Sequence, residues 1–334
     1  MQKRTKSALM KISAKKIFKP FSGDLEEFQR IFKEKMASNV RLVDQVATYL
    51  VKHKGKQLRP MLLLVSARTI SEPTLNTYLA AVVVELLHTA TLVHDDVVDE
   101  AELRRGFPTI NKVWKNKIAV LMGDYLLSKS LIIATEIGNL ELMNIISNVA
   151  KRLSQGELFQ IQKARKLNIE EEEYFQLIAD KTASLISACC EIAALTVPAN
   201  AEQRSILKEY GEKLGIAFQI KDDLLDYQSR PGILGKPVGN DLKDKKITLP
   251  LLYAFKESSP KEKKQIIKLL KNGVSTKDIK RIIQFVESYD GINRAREKAI
   301  QYKNEAVSLL MQLPETPARQ SLIELAEFVV NRDH

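Results

Sequence analysis

Cysteine is nearly absent from this 334-residue chain, and histidine, with four copies, and tryptophan, with one, are scarce. The two cysteines, Cys189 and Cys190, are adjacent in an apolar stretch, which suits buried thiols in a reducing compartment and leaves no disulfide framework. With so few His and Cys, and no ligand spacing among them, zinc is not expected. No apolar run reads as long enough to span a membrane, and the first residues lack the apolar core of a secretory signal, so a cytoplasmic protein is expected. The formal net charge is +11, yet the lysines are dispersed, aromatics make up only 6%, and no basic helix is interleaved with stacking rings. Nucleic acid is therefore not expected as a partner. Strand-like alternation between tight turns is missing too.

What the chain does have is helical period. Apolar residues recur at spacings of three and four through 28–36, 40–51 and 61–69, and glycine and proline cluster at boundaries: Pro73, Gly106 with Pro108, Pro198, and the stretch 231–239. A hydrophobic content of 45% is ample for a sizeable core. The expectation is an all-α fold, with a basic N-terminal arm over residues 1–22 and a single domain over 23–334. The arm carries Lys3, Lys6, Lys11, Lys15, Lys16 and Lys19 between Leu9, Met10, Ile12, Ile17 and Phe18. It reads as solvated, or at most as a peripheral membrane contact.

Two acidic turns stand out: Asp95-Asp96-Val97-Val98-Asp99, after His94, and Asp222-Asp223-Leu224-Leu225-Asp226. In each, the first and last Asp are four residues apart, so on a helix they stack on one face with the second Asp beside them. Like charges so placed cost a helix roughly 0.2–0.5 kcal/mol per pair, and more when partly buried, so a cation is expected between them. Carboxylate oxygens suit Mg²⁺, which keeps several waters, takes one or two protein carboxylates and bridges to phosphates; a diphosphate is the natural substrate. The alternating Asp spacing and central Gly of a calcium loop are missing. One such turn alone would read as a solvated acidic face. Two, flanked by Val, Leu and Ile, point to a site.

Further candidates lie on the same helical faces. His88 precedes Asp95 and Asp99 by seven and eleven residues, and Gln219 precedes Asp222, Asp223 and Asp226 by three, four and seven. A lone His on an apolar helix is otherwise a core residue, and His94 reads as structural. Lys56 and Arg59, near a helix start, could bind an anion, but taken alone such residues are more often ordinary surface charges. Arg104 and Arg105 carry forked guanidiniums that grip phosphate oxygens. Gly232, Gly235 and Gly239 make 229–246 a loop able to close over phosphates.

The ordered set of Gly55-Lys56-Gln57-Leu58-Arg59-Pro60, the first acidic turn with Arg104-Arg105-Gly106, Lys181-Thr182, Gln219, the second acidic turn and Gly235-Lys236-Pro237-Val238-Gly239-Asn240-Asp241 resembles the trans-isoprenyl (polyprenyl) diphosphate synthases, of the bacterial single-component long-chain type. The likeness runs from Gly55 to the C-terminal region. It implies a single large helical bundle around a deep central apolar cavity, of the isoprenoid synthase type. It also implies Mg²⁺-dependent, head-to-tail condensation of isopentenyl diphosphate with an allylic diphosphate, about three Mg²⁺ ions, and a homodimer. Carried over residue by residue, Lys56, Arg59, His88 and Arg105 would hold isopentenyl diphosphate. Arg104, Lys181, Thr182, Gln219, Lys236 and Lys246 would hold the allylic diphosphate, and Asp95, Asp96, Asp99, Asp222, Asp223 and Asp226 the metal. Position 245 is Lys where bacterial relatives commonly have Gly. Arg332 reads as a solvated end, although some relatives carry basic C-terminal residues.

Product length in this family depends on how far the chain can grow past the first acidic turn. Ala90 and Thr91, five and four residues before Asp95, are small, so a long-chain all-trans product is expected, hexaprenyl to octaprenyl or longer, a quinone side-chain precursor. The alternative is that Leu87 closes the tunnel at geranylgeranyl or farnesyl length. A non-catalytic partner subunit should lose an acidic turn or the basic loop, and a terpene cyclase should lack the paired anion site.

Overall fold

The computed structural model describes residues 13–53, 55–228 and 239–332. The chain runs through α1 (Ala14–Ile17), a 3₁₀ turn (Lys19–Phe21), α2 (Ser22–Met36), α3 (Arg41–Lys52), α4 (Leu58–Arg68) and α5 (Leu75–Val98). A short hairpin of β1 (Leu103–Arg104) and β2 (Phe107–Pro108) leads to α6 (Ile110–Glu136), α7 (Leu140–Lys166) and α8 (Glu171–Ile178). A π-helical turn (Ala179–Ala183) runs into α9 (Ser184–Leu195), followed by α10 (Ala201–Gln228) and α11 (Asn240–Lys243). The outer helices are α12 (Leu249–Glu257), α13 (Pro260–Lys271), α14 (Thr276–Ser288), α15 (Gly291–Leu310) and α16 (Pro317–Asn331). The all-α expectation matches, since the hairpin is the only strand pairing among the described residues.

Helix α5 starts at a capping box in which Thr74 accepts from the Thr77 N–H and the Thr77 hydroxyl accepts from the Thr74 N–H. Its middle is apolar on every side: Leu79, Val82, Val83, Leu86, Leu87 and Ala90 are all buried. A helix of that composition belongs at the centre, and α5 is packed by α2, α4, α6 and α9. Helix α10 spans two cores. Its first half, with Leu207, Tyr210 and Leu214, joins the main one, and its second half, with Ile220, Leu224 and Tyr227, joins a second built from α8, α12, α14 and α15. Close approach fixes its first half: a Cβ on Gly211 would lie 2.7 Å from the Cα of Ser187, and one on Gly215 2.5 Å from the Cα of Ala183.

Two expectations are corrected here. Helices α5 and α6 are both long and apolar enough to cross a membrane by length and composition; Glu85 and His88 in α5, and Lys115, Asp124 and Lys129 in α6, interrupt the apolar run while leaving the helix-wide average high. The described part of the N-terminal arm is not solvated, because Ala14, Ile17, Phe18 and Phe21 are buried and α1 packs on α16; residues 1–12 lie outside the described ones. On α5, Leu87 is 1% and Ala90 2% exposed. Thr91 turns its hydroxyl back to donate to the His88 carbonyl at 2.8 Å.

Lys245 follows α11 with a φ of 59°, in the left-handed region. A side chain there costs about 1–2 kcal/mol, more than the entropy glycine loses on folding. Lys245→Gly should therefore raise the free energy of unfolding by about 0.5–1 kcal/mol in urea titration; a loss of stability would show that the Lys245 Nζ bond to the Lys271 carbonyl, 3.3 Å, outweighs the strain.

Candidate active site

The first acidic turn sits at the C-terminal end of α5, where Asp96 is 5% exposed and Asp99 caps the helix. The chain then reverses through a two-residue hairpin loop, Arg105-Gly106, with φ of 54° and 82°. Positive φ at both positions matches the right-handed twist of the flanking strands. It returns Arg104 to Asp96, whose Oδ1 accepts from Nε at 2.8 Å and Nη2 at 2.7 Å. The next side chain, Arg105, lies over Gly55, where a Cβ would stand 2.1 Å from Nη1. Only glycine leaves that guanidinium its place.

Beside it, the Arg59 Nη1 contacts His88 Nε2 at 3.0 Å, while the buried Arg59 Nε has no hydrogen-bond partner among the described residues. Burial, then the charges of Arg59, Arg105 and Arg104, hold the His88 imidazole well below its ordinary value, so the neutral ring accepts from Arg59. Burial lowers Arg59 as well. The Arg59 and Arg105 guanidiniums, with an unfilled donor on Arg59, suit an anion. Lys56 is exposed at its edge.

At the second turn Asp223 is buried, and its carboxylate accepts from the Tyr174 hydroxyl at 2.7 Å and Gln219 Nε2 at 2.8 Å. The Thr182 hydroxyl donates to Gln219 Oε1 at 2.7 Å, which ties the π-helical turn to α10. Burial, and then Asp241, push the Asp223 carboxyl well up. Asp226 accepts the backbone N–H groups of Asn240 and Asp241 at 3.1 and 3.0 Å, anchoring α11. Arg332 donates to the Asp222 carboxylate and, at 3.3 Å, to the Phe218 carbonyl, with its guanidinium 4.1 Å from the Phe218 ring centroid. At 11% exposure this side chain is no solvated end, which corrects the expectation for it. The cation is drawn in by a carboxylate and a ring face that sequence distance concealed.

Lys181 and Lys246 link the two turns. Lys181 pairs with Glu157 and donates to Gln160 Oε1 at 3.1 Å. A 150 Å³ cavity is lined by Lys181, Thr182, Gln219, Asp223, Asp241 and Lys246, among others. Lys181 also acts on Asp95, and Asp99 acts on Lys246. Lys246 donates to Asp244 Oδ2 at 3.0 Å and lies 3.9 Å from Asp241 Oδ1. Lys236 lies outside the described residues. His94 Nε2 rests 3.3 Å from Asp124 Oδ1, over Gly123, in keeping with a structural role.

Sequence reasoning missed Tyr174, Glu157 and Gln160. Tyr174 precedes Asp223 by 49 residues and no spacing links them. For Glu157 and Gln160 the available signal was a polar pair three apart, around Gly156, on a helix facing the π-helical turn.

Residues 40–286 match the family model described as polyprenyl synthetase. The chain belongs to the polyprenyl synthetase family. It is thus a prenyltransferase enzyme of isoprenoid synthesis, with the helical fold that membership implies. The octaprenyl diphosphate synthase of Escherichia coli (strain K12) is 34% identical over 300 residues, covering 90% of this chain and 93% of that protein. A decaprenyl diphosphate synthase structure from Rhodobacter capsulatus superposes with a TM-score of 0.91 at 35% identity, covering 96% of this chain and all (100%) of that one. A polyprenyl synthase from Caulobacter crescentus CB15, solved with calcium and isoprenyl diphosphate, gives 0.89 at 30% identity, covering 97% and 99%.

Burial raises the Asp95 carboxyl from its ordinary 3.8 to about 6, and Asp241 likewise. Between those values the folded protein keeps a proton that the unfolded chain has released. Stability without metal should therefore fall as pH rises through that window, with the loss complete above about 6. Unfolding in EDTA should show lower stability at pH near 7.5 than near 5, and Asp95→Asn should narrow the gap; equal values would contradict it.

Proposed function

We propose that this enzyme condenses isopentenyl diphosphate head to tail with an allylic diphosphate, making an all-trans polyprenyl diphosphate of hexaprenyl to octaprenyl length or longer, a quinone side-chain precursor. The observation that carries the reading is the pairing of two basic sets, Arg59 with His88 and Arg105, and Lys181 with Lys246, on either side of two acidic turns. Long-chain synthases among the relatives support the product class.

Isopentenyl diphosphate would sit against Arg59, His88, Arg105 and Lys56, where the unfilled Arg59 Nε supplies a ready donor. The allylic diphosphate would lie on Arg104, Lys181, Thr182, Gln219, Lys246 and, by resemblance, Lys236. Asp95, Asp96, Asp99, Asp222, Asp223 and Asp226 would hold about three Mg²⁺ ions. Their oxygen-only donor set fits that ion. Substrate oxygens and water complete such a shell. Asp96 and Asp223 are already fixed by Arg104 and by Tyr174 with Gln219, so they orient the turns. Bound Mg²⁺ offsets the negative charge that grows on the leaving diphosphate. Lys181 and Lys246 add to that offset, and the apolar wall of α5 excludes water from the allylic cation. The released proton goes to the departing diphosphate, so no side-chain base is assigned.

We also propose a homodimer and a cytoplasmic location. Val120, Leu121 and Ile132 form one exposed apolar arc on α6, beside the site, that a second copy would cover.

Replacing Asp95 and Asp222 together by Ala should cut Mg²⁺-dependent elongation of farnesyl diphosphate by roughly 10²–10³-fold or more; full activity would defeat the assignment. Ala90→Phe should shorten the dephosphorylated products on chromatography, and an unchanged spectrum would remove Ala90 from the wall.

A further inference from the structure

Helix α7 lies against the π-helical turn at Gly156, where a Cβ would stand 3.2 Å from the Lys181 nitrogen and 3.3 Å from its Cβ. That contact sets α7 side chains beside the turn. Asp180 accepts from Arg152 Nε and Gln176 Nε2, both at 2.6 Å, and the Thr182 hydroxyl donates to Gln219 at 2.7 Å. Between them, the Lys181 ammonium pairs with Glu157 and donates to Gln160 Oε1 at 3.1 Å, while Gln160 Nε2 donates to Glu157 Oε1 at 3.2 Å. The three side chains close a polar triangle at the edge of the cavity that Gln160 and Lys181 both line. Glu157 is 18% exposed and Lys181 32%, so water screens the pair only in part.

The geometry points to Glu157, with Gln160, as a positioning residue that holds Lys181 toward the allylic diphosphate and off the metal-binding Asp95. A lysine stem is flexible and its head is a point charge with three donors, so it turns to whichever anion is nearest. Glu157 and Gln160 engage two of those donors and leave one for a phosphate oxygen. The first acidic turn is the competing anion. Burial raises the Asp95 carboxyl, the Lys181 charge lowers it and the Glu157 charge raises it, so the ammonium stands in the field of both carboxylates. Released from Glu157, it would turn to Asp95 and contest the place of a divalent ion. The role given to Lys181 rests on the proposed function; the triangle itself does not.

A double-mutant cycle in the full-length protein tests this. It is read as initial rates of farnesyl diphosphate elongation and as calorimetric binding, in Mg²⁺, of farnesyl thiolodiphosphate, whose carbon–sulfur bond resists ionisation. Glu157→Gln should raise the KM for farnesyl diphosphate, the dissociation constant of the analogue and the half-saturating Mg²⁺ concentration each about tenfold, with the KM for isopentenyl diphosphate and the melting temperature unchanged. In Lys181→Ala protein the same substitution should add less than about twofold, because its effect passes through the ammonium. Glu157→Asp, which keeps the charge, should restore most of the loss. An undiminished effect in the Lys181→Ala background makes Glu157 a direct ligand of metal or substrate and overturns the positioning role. Unchanged constants in Glu157→Gln, or losses shared equally by isopentenyl diphosphate, mark a merely structural pair and overturn it too. Should Glu157→Gln fail to fold, Gln160→Met decides, since it breaks the triangle and leaves the carboxylate: a smaller loss in the same constants is expected, and none overturns the role. Wild-type protein that binds the analogue with the cycle intact but does not elongate overturns the prenyltransferase reading alone. One that elongates without coupling between Glu157 and Lys181 overturns this role alone, and one that neither binds nor elongates overturns both.

Discussion

The arrangement depends on one buried carboxylate. Asp223 sits in the apolar half of α10, where an unsatisfied charge would cost several kcal/mol. Tyr174 from α8 and Gln219 from α10 answer it, and Gln219 is itself held by Thr182 of the π-helical turn. Two segments distant in sequence, the continuous stretch of α8 with the π-helical turn and α10, are thereby locked in one geometry, and the neighbouring Asp222 and Asp226 are aimed from the same helix. The cost of burying the second aspartate of the turn is what gives its two neighbours a fixed direction.

The rest follows from where that lock lies. Helix α10 passes from one core to the other, so the second turn rests on the second core, while α5 carries the first turn out of the main one. Lys181 and Lys246 line a cavity with Asp223 and Asp241, and each lies close enough to the first turn to feel the charge of Asp95 or Asp99. The π-helical turn is part of this. An extra residue per turn re-aims side chains, such insertions occur often at functional sites, and here the insertion carries Lys181 and Thr182.

Helical period made much of this readable in the sequence. Spacings of three, four and seven place Gln219 with its three aspartates, and Asp95 with Asp99, on single faces before any tertiary structure is known. The capping Thr and Ser residues and the boundary prolines likewise mark helix starts. What was not readable depends on contacts across the fold. Tyr174 has no periodic relation to Asp223, and Arg332 lies more than 100 residues from Asp222, its partner. Residues 14–21 look like part of a lysine-rich tail until the groove beside α16 gives Ile17 and Phe18 a place to be buried. Convergence of Arg59, His88 and Arg105 came from family likeness alone, because three residues from two helices and a hairpin share no pattern.

The hairpin after the first acidic turn also sorts two identical side chains. Arg104 belongs to a strand and Arg105 to a left-handed bend, so neighbours in sequence face opposite ways, one toward Asp96 and one toward Gly55. On the proposed assignment, recognition of donor and acceptor phosphates would be divided by odd and even position along the ribbon. A single inserted or deleted residue there would exchange the two guanidiniums' destinations without altering composition or charge, so in this region evolution can trade one basic residue for another far more easily than it can change the length.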